Sequence, residues 1–213
     1  MNIIICTRDL YFGGVGTYVI NFIKELEKRK NVDKIFLITP EKSDIFTEKV
    51  EFEIISLKGK FFVTREPIFA LSCKKKIDNL LTKSNIDLII TMFPFLINKK
   101  FKVPLISIFH TFHISYVKLS IDDWKIKISR FFHNFYSYFD YKTIQNSDKV
   151  VFVSVNTLNE AKRQYPKFKN KMIYVPATVD NLKFYPLDNR KKQEIRKRFK
   201  LGKKKYILFV GRL

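Results

Sequence analysis

Three glycines fall within four residues in "YFGGVGTYV" (11–19): Gly13, Gly14 and Gly16 stand between an apolar run and a helix-forming stretch. Glycine lets the backbone come close to a ligand, and the free N–H groups of a helix's first turn favour anions. A tight strand-to-helix turn would account for one of these glycines but poorly for all of them. A second group is "SIFHTFHIS" (107–115), in which His110 and His113 flank Thr111 and Phe112 at the end of an apolar run. A neutral imidazole at a sheet edge can hydrogen-bond a substrate hydroxyl or serve as acid or base. The bland alternative for each is a structural histidine.

Other chemistries lack their residues. Gly14, Gly16 and Val19 follow G-x-G-x-x but miss the third glycine of a dinucleotide fingerprint, and no Gly-Lys-Ser/Thr makes a P-loop. Asp-x-Asp, His-Glu-x-x-His and any cysteine cluster are missing, so no metal site is expected. There is no Gly-x-Ser-x-Gly for a hydrolase nucleophile. Cys6 and Cys73 have no metal or disulfide spacing and read as two buried thiols of a reducing compartment.

Elements that could position the two groups are legible around them. Apolar runs at 2–6, 34–39, 51–56, 86–91, 104–109, 149–154, 171–176 and 206–210 are mostly continuous rather than alternating, the pattern of strands buried on both faces of a parallel sheet. Helical periodicity lies between them at Thr17–Lys30, Ile68–Leu81, within Asp122–Gln145 and at Thr157–Gln164. Strand and helix in repetition predict an α/β, Rossmann-like, doubly wound parallel sheet, whose ligand sites lie beyond the carboxyl ends of the strands. The Phe-rich stretch 124–144 reads as a core-packed helix, with a membrane-surface face as the alternative. From Pro176 to Lys205 turn residues and the basic stretch "RKKQEIRKRFK" suit a linker with one exposed helix, after which "YILFVGRL" begins another strand.

With 41 Lys and Arg against 20 Asp and Glu, the net charge is +21, a field that draws phosphates of nucleic acid, anionic lipid or nucleotide substrates. A preference for lysine on a solvated surface is the plain alternative. No nucleic-acid reading motif is present, so nucleic acid is the least favoured partner. The first residues lack a signal peptide's basic region and long apolar core, and no stretch reaches the roughly 18–20 apolar residues of a membrane span. The expected location is cytoplasmic, with peripheral contact to the inner face of a membrane.

Taken in order, "GGVGTYV", "FHTF", "FVSVNTLNEAKRQY", "IYVPATVDNLKFYP" and "YILFVGRL" resemble family 4 glycosyltransferases. The resemblance implies the GT-B architecture of two Rossmann-like domains, with 1–175 as the acceptor-side domain, 176–205 as interdomain linker and 206–213 as the first strand of a donor-binding domain. It implies retaining transfer of a sugar, of hexosyltransferase type, from a nucleoside diphosphate sugar to a glycan or lipid-linked acceptor, with no metal or other cofactor. By position it places Gly13, Gly14 and Gly16 at the donor diphosphate and acceptor, and Arg212 of "GRL" at the diphosphate. His110 matches the histidine that contacts the transferred sugar; it is preferred to His113 because it stands six residues after Pro104. "ATVD" (177–180) replaces the family's frequent Asn-Gly-Val-Asp. The family's next lysine and its Glu-x7-Glu segment are not within the 213 residues, which are therefore expected to be inactive alone.

Overall fold

The computed structural model describes the chain except residues 9, 11–12, 58–61, 93–100, 111–136, 178–183, 203–204 and 207–213, and the side chains of 62–67. Its described residues fall into two units, Met1–Thr178 and Val179–Leu213.

The first unit is built on β1 (Asn2–Cys6), β2 (Lys34–Thr39), β3 (Val50–Ile54), β4 (Leu88–Thr91), β5 (Leu105–Phe109), β6 (Lys149–Phe152) and β7 (Met172–Tyr174). All pair in parallel, in the order β3-β2-β1-β4-β5-β6-β7. The helices are α1 (Gly13–Glu27), α2 (Phe62–Lys83), α3 (137–146) and α4 (Val155–Gln164), followed by a 3-10 turn at Pro166–Lys171. This is the α/β Rossmann-like fold that the runs of apolar residues predict.

Burial on both faces explains why those runs are continuous. Ile3 and Ile5 of β1 pack with Val19 and Ile23 of α1, whereas Ile4 and Cys6 pack with Phe69, Cys73 and Ile77 of α2. Each buried isoleucine contributes roughly 1.5–3 kcal/mol relative to exposure, so reversing either face would cost far more than any local preference. Polar groups hold the amino edge of the sheet: the Asp87 carboxylate accepts from Asn2 N at 2.7 Å and that of Asp148 from Leu105 N at 2.9 Å. In open parallel sheets ligands bind at the opposite, carboxyl edge. Winding starts at β1, proceeds outward to β3, and then turns back past β1 to β4, so the order reverses between β1 and β4, the kind of point where open α/β sheets bind ligands.

Boundaries differ from the expected ones for identifiable reasons. Helix α1 starts at Gly13 rather than Thr17, so the glycines form its first turn. Strand β6 stops at Phe152 because Ser154 already serves as the N-cap of α4. The described part of the Phe-rich segment packs into the core: Phe139, Thr143 and Ile144 on α3 are buried, and Tyr138 is exposed. Cys6 and Cys73, far apart in sequence, lie in one apolar cluster as free thiols.

In the second unit the basic stretch forms α5 (Asn189–Arg198), none of whose residues is buried. The Asp188 carboxylate caps it by accepting from Lys191 N at 2.8 Å. Its other end closes with Leu201 N donating to Arg196 O at 2.9 Å and Lys200 N to Lys197 O at 3.1 Å. That closure places Lys200 in the left-handed region at φ 53°, a position glycine usually takes. Among the described residues no helix is long and apolar enough to cross a membrane.

Candidate functional site

The site grows from the two strands on either side of β4. After β1 the chain enters α1 through Gly13, whose φ of 75° lies in the left-handed region that glycine tolerates and other residues resist. Gly13 and Gly14 are exposed, and a β-carbon built on Gly14 would meet nothing within 4 Å. Gly16 is buried, on the side of the helix turned to the core. No acidic side chain stands in the first turn of α1, so nothing within that turn neutralises the partial positive charge of its free N–H groups. Thr17 Oγ1 donates to Gly13 O at 3.3 Å and steadies the turn.

After β5 the next residue is His110, half-buried at the carboxyl edge. Its ring meets Tyr18 of α1, with centroids 4.7 Å apart and planes 75° from parallel. Tyr18 in turn stacks on Phe22, one turn further along the helix, at 6.0 Å and 9°. Burial pushes the Tyr18 phenol above the ordinary tyrosine pKa, so it is protonated at neutral pH. The fold therefore brings the glycine turn and His110 to one helix, Gly14 and Tyr18 being about 6 Å apart along its axis. Tyr18 is the residue that sequence reading passed over. Its only signal there was helical spacing to Phe22, which reads as packing.

His113 and Arg212 lie outside the described residues, as does the strand expected at 207–210. Among the described residues no group of three or more metal-ligating side chains comes together. A separate groove of about 470 Å³ lies between β3 and α2, lined by Ser56, Ser72, Lys75, Lys76 and Asn79 among others. Four strand positions, or roughly 19 Å, separate β3 from β5, so this groove is not part of the His110 site.

A seven-stranded parallel sheet flanked by helices, with a glycine-rich helix start after β1 and a histidine after β5, is a Rossmann-like α/β fold similar to that of GT-B glycosyltransferases. The family model for Glycosyltransferase Family 4 matches residues 12–181, and the chain belongs to that family. Among solved structures it is similar to a glycosyltransferase from Rickettsia africae ESF-5, with 16% identity over 94% of this chain and 49% of that one, at a TM-score of 0.53. It is also similar to Phytolacca americana UGT2 complexed with UDP-2fluoro-glucose and pterostilbene, with 9% identity over 85% of this chain and 55% of that one, at a TM-score of 0.52. At such identities the likeness is one of fold. The chain spans about half the length of these solved chains. No curated protein matches the sequence at a significant level.

Proposed function

We propose that this glycosyltransferase chain serves retaining transfer of a hexosyl group from a nucleoside diphosphate sugar to a glycan or lipid-linked acceptor. The observation that supports it is that His110, just after β5, meets Tyr18 on the helix whose first turn carries the exposed Gly13 and Gly14. Departure of the nucleoside diphosphate is the difficult event, and fixed N–H groups aimed at it stabilise the charge as it develops. In this reading Gly13 and Gly14 face the diphosphate, buried Gly16 keeps α1 close to the sheet, and His110 positions the sugar. Arg212 adds a cation at the diphosphate, and His113 is the substitute for His110. The donor is a substrate, and neither metal nor cofactor has a part.

The reading divides the chain into an acceptor-side domain (1–175), a linker (176–205) and the opening strand of a donor-binding domain (206–213). It assigns the other donor contacts to a second domain such as the relatives' further length would hold. A net charge of +21 and the exposed basic helix α5 support work at the cytoplasmic face of an anionic membrane.

His110→Ala in the complete enzyme tests the reading. With UDP-, GDP- and ADP-activated hexoses as donors, turnover is expected to fall at least about 100-fold while the melting temperature stays within a degree or two. Near-normal turnover moves the role to His113 or removes it.

A further inference from the structure

We infer that Tyr18 is a positioning residue whose ring fixes the orientation of the His110 imidazole. The inference rests on the role proposed for His110 and adds the residue through which that role is set.

The backbone of His110 is fixed by β5, which ends one residue earlier at Phe109. The setting of its side chain depends on what the ring touches, and the Tyr18 ring is one such contact. The edge-to-face contact at 4.7 Å and 75° lies in the range aromatic pairs prefer, so turning the imidazole would lose it. Tyr18 is itself held from two directions. Buried Gly16 and Val19 seat its helix on the sheet, and Phe22 lies nearly parallel behind it at 6.0 Å. The residue that follows β5 is therefore held by its ring against the helix that carries the glycine turn. The consequence for transfer is geometric: the imidazole keeps one setting relative to the first turn of α1, where the diphosphate is proposed to lie. A ring misplaced by an ångström forfeits much of what orientation contributes to rate.

The test compares Tyr18→Phe, which keeps the ring, with Tyr18→Leu, which keeps bulk and helix propensity but removes it. In the complete chain labelled with 13C-histidine, and with His110 assigned through His110→Gln, the wild type and Tyr18→Phe are expected to show a rigid His110 ring in carbon relaxation. Tyr18→Leu is expected to show relaxation signals of a mobile His110 ring. With the activated hexoses as donors, kcat in Tyr18→Leu should fall about tenfold with KM changed less than about twofold, and Tyr18→Phe should stay within about twofold of wild type. Unchanged His110 signals in Tyr18→Leu overturn the inference. So does a loss in Tyr18→Phe equal to that in Tyr18→Leu, which would place the contribution in the hydroxyl. Should His110→Ala retain full activity while the signals still move with Tyr18→Leu, the positioning stands and the role of His110 in transfer falls.

Discussion

The hydroxyl of Ser107, on β5, lies 2.6 Å from that of Ser147, just beyond α3, and both are buried. Ser147 spends its own proton on Thr143 O at 2.6 Å, so Ser107 is the donor between the two. This pair anchors the strand that leads to His110 against α3. Ser107→Ala is expected to cost about 1 kcal/mol, the net value of one hydrogen bond. Ser147→Ala should cost more, about 1–3 kcal/mol, because the Ser107 hydroxyl is then buried without this acceptor. Urea denaturation of the two variants gives the order, and equal losses would show that Ser107 finds another acceptor.

Gly14 separates stability from binding. Its backbone is helical and the space beside it is open, so Gly14→Ala should stabilise the fold by up to about 1 kcal/mol. If a diphosphate approaches that backbone, the same methyl group weakens nucleoside diphosphate affinity by about tenfold, measured by calorimetric titration. Gly13→Ala behaves differently: forcing φ of 75° on alanine costs about 1 kcal/mol or more in thermal stability.

Tyr165 donates to Ser137 O at 3.5 Å, and its phenol pKa is pushed up to about 12 by burial first and then by Asp140 and Tyr141. In the unfolded chain a tyrosine ionises near 10. Between about pH 10 and 12 the unfolded form therefore loses a proton that the folded form keeps, and stability falls as pH rises. Below pH 10 the contribution is fully present. Denaturant midpoints for wild type and Tyr165→Phe should converge or cross through that window, and a constant difference would show that the phenol ionises alike in both states.

Cys73 sits in the core beside Cys6, and burial first, then the neighbouring thiol, pushes its pKa well above the ordinary cysteine range. Both sulfurs are buried, so neither thiol should react with an aromatic disulfide reagent in the native protein except at the rate of unfolding. In denaturant both should react at once. Rapid labelling under native conditions would show that the cluster between β1 and α2 opens readily.

Much of the fold was legible because burial on both faces writes itself as unbroken apolar runs. "NIIIC" and "KIFLIT" are strands with the expected bounds, β1 and β2. Ends were less legible, since they are decided by groups competing for the same backbone. Ser154 as N-cap shortens β6, and α1 begins four residues before the helical periodicity at Thr17, taking the glycines into its first turn. The residue types of the candidate site, glycines and a histidine at strand ends, were visible from chemistry alone.

By itself, then, the sequence determined the parallel α/β layering, the glycine-rich entry to α1 and the placing of His110 after a central strand, because local period and strand ends depend on residues close along the chain. Only the tertiary structure decided that Tyr18 meets His110, that Cys6 meets Cys73, and that Ser107 meets Ser147. Each of those pairs joins residues 40 or more positions apart, and such contacts follow from strand order and helix seating, which no local pattern of residues encodes.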